Sequence, residues 1–339
     1  MNSIRTANRS ELINICEQIF GKDLSNIISS YIEIPFITIW KIPKNGIIQI
    51  PLRENKSMFN NELYIDWGDN TTNYYSFTNS IIHKYVKEGV YAVHISGKCI
   101  NHYFKGTSDI PCTDLLDITQ WGDIQFYDAS ELFSNCINLK ISAIDTPNLK
   151  LVEDLSDMFN NCTNLTGDLS KWDVSNIIYM YSMFNGCKLF NSDLFWNVSN
   201  VMDMRFLFSD CYSFNGDICL WDVSNVVDIG HMFSKCNSFN RDISNWNVSN
   251  VFNMAYTFDN CSSFNGDLSK WNVSKVFNMS FMFRNCILFN GDLSKWDINN
   301  IYDMSDMFSG CISFNRDLSH WYVITSQFNN YTFTCPSIK

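Results

Sequence analysis

The chain has 339 residues, 46% of them hydrophobic and 15% aromatic, and a formal net charge of −11. Such a composition folds rather than staying disordered, and the length calls for two or more structural units or one repeat array. The acidity, with no local Lys/Arg cluster, sets nucleic-acid binding aside, and no apolar run reaches the length of a membrane-spanning helix.

Residues 1–35 read as an N-terminal helical segment. Leu12, Ile15, Cys16, Ile19 and Phe20 follow the N-cap residue Ser10 at helical spacing, and Leu24, Ile27, Ile28 and Tyr31 continue it after Gly21-Lys22-Asp23. The run FGKDLSNIISSYI resembles the opening of an F-box, which implies recruitment of a ubiquitin-ligase adaptor. An amphipathic helix docked on the neighbouring module accounts for the same residues.

Residues 36–98 read as a small all-β sandwich. Ile37-Thr38-Ile39-Trp40, Ile47-Ile48-Gln49-Ile50, Tyr64-Ile65-Asp66-Trp67 and Tyr91-Ala92-Val93-His94-Ile95 are β-rich runs bounded by Gly, Pro and Asn. The phrase Ile65-Asp66-Trp67-Gly68-Asp69-Asn70, then His83-Lys84-Tyr85 and Gly89-Val90-Tyr91-Ala92-Val93, resembles the PKD-type immunoglobulin-like domains with their WGDG and HxYxxxGxYxV pattern. Asn70 stands where that pattern has glycine, and Asn also accepts left-handed turn geometry. The resemblance implies a spacer or adhesive module.

Residues 99–151 read as degenerate first coils and an N-terminal cap, around Leu132, Phe133 and Cys136, and residues 152–323 as a repeat. Cys162, Cys187, Cys211, Cys236, Cys261, Cys286 and Cys311 recur at steps of 25, 24, 25, 25, 25 and 25 residues. Trp172, Trp196, Trp221, Trp246, Trp271, Trp296 and Trp321 keep the same register, as do Asp168, Asp193, Asp217, Asp242, Asp267, Asp292 and Asp317. In the unit from Phe264 to Cys286, the alternation Trp271-x-Val273 predicts a short strand. Val276, Met279, Met282, Phe283 and Cys286, at three- and four-residue steps behind Ser274, predict a short helix. The expected fold is therefore an α/β solenoid of the leucine-rich-repeat kind, one short strand and one short helix per 25-residue coil, preceded by the sandwich and the N-terminal helices. Stacking is obligatory, because one such unit cannot bury its own apolar face. Residues 324–339, with Phe328, Tyr331 and Phe333, read as a C-terminal cap.

The repeated phrase FNxDLSxWDVSNVxxMxxMFxxC, spanning roughly Val152 to Val323, resembles the BspA-like 25-residue leucine-rich-repeat family, known from bacterial surface proteins and found in protists and their large DNA viruses. The resemblance implies a curved solenoid that contacts other proteins or surfaces and shares no catalytic site. Bacterial members usually carry an export signal or lipid anchor. Neither is visible here, so the expectation is an intracellular protein, in the host cytoplasm or the virion if viral, with its cysteines reduced.

The cysteine ladder reads as small buried apolar side chains in preference to zinc ligands, since short CxxC hairpins are missing. The aspartates read as acceptors for backbone N–H groups of their own turns in preference to calcium ligands. His83, His94, His102, His231 and His320 are scattered and assemble no catalytic group, so no enzyme, metal or cofactor is expected. Outward positions of the expected strand vary between coils and form the candidate protein-contact face. One row is Lys171, Phe195, Leu220, Asn245, Lys270, Lys295 and His320; the next is Asp173, Asn197, Asp222, Asn247, Asn272, Asp297 and Tyr322. The expected function is non-enzymatic protein–protein interaction or scaffolding. A self-assembling surface or virion component and an F-box-like adaptor are the alternatives.

Overall fold

The structure, a computed structural model, describes residues 18, 33–50, 62–76, 81–100, 103–107, 109–319 and 321. Every element among them is a strand: β1 (Phe36–Ile42), β2 (Ile47–Ile50), β3 (Glu62–Asp66), β4 (Thr72–Ser76), β5 (Ile81–Lys84), β6 (Gly89–Gly97), β7 (Cys99–Ile100), β8 (Leu115–Gln120), β9 (Gln125–Phe126) and β10 (Lys140–Ile141). The four β-rich runs of the sequence fall in β1, β2, β3 and β6, where alternating side chains turn inward, as in β2 with Ile48 and Ile50 buried.

Six strands form one mixed sheet in the order β10-β8-β1-β6-β3-β4. β1 lies at its centre, antiparallel to β6 with Trp40 opposite Tyr91, and antiparallel to β8 on its other edge. β2 pairs with β5, and β7 runs parallel to β9. Around the WGDN phrase, Gly68 and Asn70 take left-handed φ angles of 76° and 71°, which lets Asp66 and Asp69 each accept a backbone N–H two residues on. The Trp67 ring stacks on His83 at 4.5 Å, and Tyr85 donates to the Trp67 carbonyl oxygen.

Beyond β6 the chain adds β8 and β10 to the same sheet and passes into the repeats without a break in the core. Phe104, Phe133 and Phe159 stack in sequence at 5.5 and 5.7 Å, and one buried cluster runs from Phe36 to Trp321.

The repeat itself departs from the expected α/β solenoid. The Leu-x-x-Trp-x-Val segment is not a strand: Trp271 N–H closes a turn on the Leu268 carbonyl at 3.1 Å, and Val276 N–H closes another on Val273 at 2.9 Å. The run expected as a helix is a succession of tight turns. Within it Met282, Arg284 and Cys286 donate to the carbonyls of Met279, Phe281 and Phe283, three residues back. The alternate N–H groups of Met279, Phe281, Phe283 and Asn285 leave the unit and donate to Asp303, Ser305, Met307 and Ser309 of the next one, at 2.7–2.9 Å. An α-helix would close all of these bonds internally, four residues back. Phe281 and Asn285 sit at φ 58° and 59°, which no helix interior accepts. The helices expected between Leu12 and Tyr31 fall outside the described residues, apart from the single helical residue Gln18. Ser10 and the F-box-like run fall outside that set, and so does the 324–339 cap.

Side-chain ladders bind the units into a stack. Successive ladder tryptophans from Trp172 to Trp271 lie 6.2–6.4 Å apart, Phe184, Phe208, Phe233, Phe258, Phe283 and Phe308 lie 5.6–5.8 Å apart, and a second phenylalanine column from Phe190 to Phe314 keeps 5.9–6.1 Å. Burial of each such ring stabilises by about 1.5–3 kcal/mol. Polar atoms of the ladders pair across units, as where Cys261 Sγ donates to the Phe233 carbonyl at 2.8 Å and Trp246 Nε1 to the Ile218 carbonyl at 3.2 Å.

Candidate binding face

Lys171, Phe195, Leu220, Asn245, Lys270 and Lys295 all stand exposed, as do Asp173, Asn197, Asp222, Asn247, Asn272 and Asp297. His320 and Tyr322 lie outside the described residues. The second row has a structural occupation. Asp173, Asn197, Asp222, Asn247, Asn272 and Asp297 each accept the backbone N–H two residues on, at 3.0–3.2 Å, closing an Asx turn. Hydrogen bonds from Ser175 and Ser224 hold the Asp173 and Asp222 carboxyls below the usual range.

Two further columns use the same device. Asp168, Asp217, Asp242, Asp267, Asp292 and Asp317 cap the N–H of Ser170, Cys219, Ser244, Ser269, Ser294 and Ser319. Asp154, Asp203, Asp228, Asn253, Asn278 and Asp303 do so at a third turn. Among the described residues no group of three or more His, Cys, Asp or Glu side chains could hold a metal ion.

The first row is interrupted where the period drops to 24. Between Leu194 and Trp196 stands Phe195 alone, where other units have two residues, such as Ser269-Lys270. Asp193 Oδ1 then accepts the N–H of Asp217 in the next unit at 2.8 Å instead of closing its own turn. The missing residue opens a notch of about 330 Å³ lined by Phe195, Trp196, Ile218, Cys219, Leu220 and Trp221. Phe195 and Leu220 at its mouth are 62% and 85% exposed.

A longer apolar column was not anticipated from the sequence. Units pair as single parallel bridges at Asp154, Tyr179, Asp203, Asp228, Asn253, Asn278 and Asp303. One residue earlier a backbone ladder runs the length of the stack, with the N–H groups of Ile178, Met202, Val227, Phe252, Phe277 and Tyr302 each donating to the preceding unit at 2.7–3.0 Å. Met202, Phe252, Phe277 and Tyr302 are between 44% and 53% exposed, Ile178 and Val227 are partly exposed, and the Phe277 and Tyr302 rings lie parallel at 4.9 Å. An asparagine column flanks the stripe: Asn200, Asn225, Asn250 and Asn300 donate Nδ2 to serine carbonyls of the preceding unit at 2.6–2.7 Å. The available signal was the residue after each buried Val or Ile of the phrase, apolar in every copy from Ile178 to Tyr302 although an amphipathic helix would turn it to water.

Units that bond to one another through ladders, each too small for a core of its own, define a tandem-repeat protein. The chain matches the family described as Mycoplasma protein of unknown function, DUF285, over residues 127–244, 195–286 and 227–336, and it belongs to that family. The three overlapping matches are those of tandem BspA-like repeats. Neither a curated protein nor a solved structure matches the chain. No helix among the described residues is long and apolar enough to cross a membrane.

Proposed function

We propose that this protein is a non-enzymatic interaction platform that binds a protein partner along the stripe from Ile178 to Tyr302. The observation that carries the reading is the unbroken run of outward apolar side chains on a backbone ladder whose own hydrogen bonds are already made. Contiguous exposed apolar surface of this kind is where soluble proteins meet others. A non-catalytic role is supported by the employment of the histidines: His83 is stacked on Trp67 and bonded to Asp69 at 2.9 Å, and His231 lies between the Phe206 and Tyr256 rings at 4.3 Å, where burial lowers its pKa. The PKD-type reading of residues 36–98 is supported by the packing of Trp67, Asp69, His83 and Tyr85 into one cluster, and assigns that module the part of a spacer.

The test is affinity capture from the native cell with mass spectrometry, comparing the wild type with the double variant Phe252→Ser, Phe277→Ser. Both side chains are half out in solvent, so the melting temperature should hold while the captured partners are lost. An unchanged partner list from a folded double variant would overturn the reading. Loss caused instead by Phe195→Ser, Leu220→Ser would move the contact to the notch.

A further inference from the structure

The cysteine ladder begins one rung earlier than its 25-residue spacing announces. Cys112 lies 24 residues before Cys136, which lies 26 before Cys162, and the two form a parallel bridge in which Cys112 N–H donates to Asn135 and Ile137 N–H donates to Cys112, at 3.0 and 3.1 Å. Neighbouring chains in such pairing lie about 4.8 Å apart, inside the span a disulfide bridges without backbone movement.

This rung differs from those behind it. From Cys136 to Cys311 every ladder thiol is buried; Cys162 and Cys187 each donate to a phenylalanine carbonyl in the stack, whereas the one Cys136 proton has two acceptors in reach, the Phe104 carbonyl oxygen at 3.1 Å and Cys112. Burial pushes these thiols up and keeps them protonated. Cys112 is only partly buried. A hydrogen bond from the Cys136 thiol, helped by the backbone at Leu115 and Asp114, brings it down to about 7, against burial and the Asp114 carboxylate, which act the other way. A thiolate in reach of solvent, with a second thiol against it, is the arrangement of a reactive and a resolving cysteine.

We propose that Cys112 and Cys136 form a dithiol that reduces hydroperoxides and closes as a disulfide between the first two rungs of the ladder. The Cys112 thiolate attacks the peroxide O–O bond, forming an S–O bond and releasing the far oxygen, which takes up a proton to leave as water or alcohol. The sulfur of Cys136 then attacks the Cys112 sulfenic acid. The S–S bond forms, the S–O bond breaks, and the hydroxyl leaves as water with the Cys136 proton. Two thiols lose two electrons and one peroxide bond gains them. The deeper rungs have no such route, since peroxide cannot reach them. Cys219 provides an internal control: it is also partly buried, but the Asp217 carboxylate it hydrogen-bonds raises its pKa.

The experiment is titration of the full-length reduced protein with hydrogen peroxide, quenching with iodoacetamide under denaturing conditions, and peptide mass mapping. The expected result is joint loss of alkylation at Cys112 and Cys136, with a cross-linked peptide pair two hydrogens lighter, while Cys219 and Cys162 through Cys311 remain alkylated. In Cys136→Ser, Cys112 should instead accumulate as a dimedone-reactive sulfenic acid, and in Cys112→Ser, Cys136 should stay reduced. Oxidation of Cys112 no faster than Cys219, or a mixed or intermolecular disulfide at Cys112 in the wild type with no link to Cys136, would overturn the proposal. The wild-type map decides it even if a variant fails to fold.

Discussion

In the unit from Phe264 to Cys286, two residues separate Leu268 from Trp271 and Asp267 caps the turn between them; in the unit from Phe190 to Cys211, Phe195 alone separates Leu194 from Trp196. The interiors of the two hardly differ. Phe184 and Phe208 stack at 5.7 Å, Phe258 and Phe283 at 5.6 Å, and the tryptophan spacings are 6.3 Å for Trp196–Trp221 and 6.4 Å for Trp246–Trp271. The whole consequence of the deletion falls on the surface, as the notch and as the transfer of Asp193 from its own turn to the next unit. Register in this stack is therefore set by the interior ladders and the cross-unit hydrogen bonds, while the outer turn has slack.

That conclusion is broken most directly through the interior. Phe258→Ala and Phe208→Ala remove rings in matching surroundings, one in a regular unit and one in the short unit, each stacked on two ladder neighbours and on a second phenylalanine at about 4 Å. Each should lose about 3–5 kcal/mol in urea unfolding, and the two losses should agree. A much smaller loss for Phe208→Ala would mean that the short unit is already loosely packed and that the deletion reaches the core.

The same division explains what could be read in advance. The period and the Trp, Phe and Cys ladders were legible, because a side chain that stacks on its own copy must keep its identity from unit to unit. The backbone was not. Three- and four-residue spacing of buried Val276, Met279, Met282 and Phe283 fits a helix and equally a run of turns closing three residues back. The bonds that decide between them, such as Met279 N–H to the Asp303 carbonyl, join residues 24 apart and leave no local pattern. Left-handed Tyr256 and Phe281 gave no warning either, since aromatic residues are not turn formers. Of the expected contact face, exposure was legible. The role of its Asp and Asn row in Asx turns, and the stripe from Ile178 to Tyr302, followed from a backbone course that the helical reading concealed.

The units also differ in charge at the third Asx turn. The short unit and the next carry Asp203 and Asp228, and the two units that follow carry Asn253 and Asn278. Burial raises the Asp228 pKa; the Gly230 N–H, the Asn253 amide and Arg205 oppose that, and the Asp203 carboxylate adds to it. A raised folded-state value means that the carboxyl is best tolerated protonated, so stability is highest below the ordinary carboxylate range and falls as pH rises through the folded pKa. Asp228→Asn keeps an oxygen for the Gly230 N–H and removes the charge. The variant should therefore be the more stable of the two at neutral pH. That advantage should vanish in acid, and thermal melts across that range would show it. A loss at neutral pH would mean that attraction to Arg205 outweighs burial.

The smallest effect is expected where the two units differ most in sequence. Inserting one serine between Leu194 and Phe195 restores the two-residue spacing, frees Asp193 to cap its own turn and closes the notch. One Asx turn is gained, and the bond from the Asp217 N–H to Asp193 is lost. Because an exposed turn is exchanged for an exposed turn, the unfolding free energy should change by no more than about 0.5 kcal/mol in either direction. Access to the notch should change more: alkylation of Cys219, which lines it together with Phe195, slows as the opening disappears. If the insertion instead costs as much as Phe208→Ala, the short turn is part of what holds the register, and the slack inferred from the matching ring spacings does not exist.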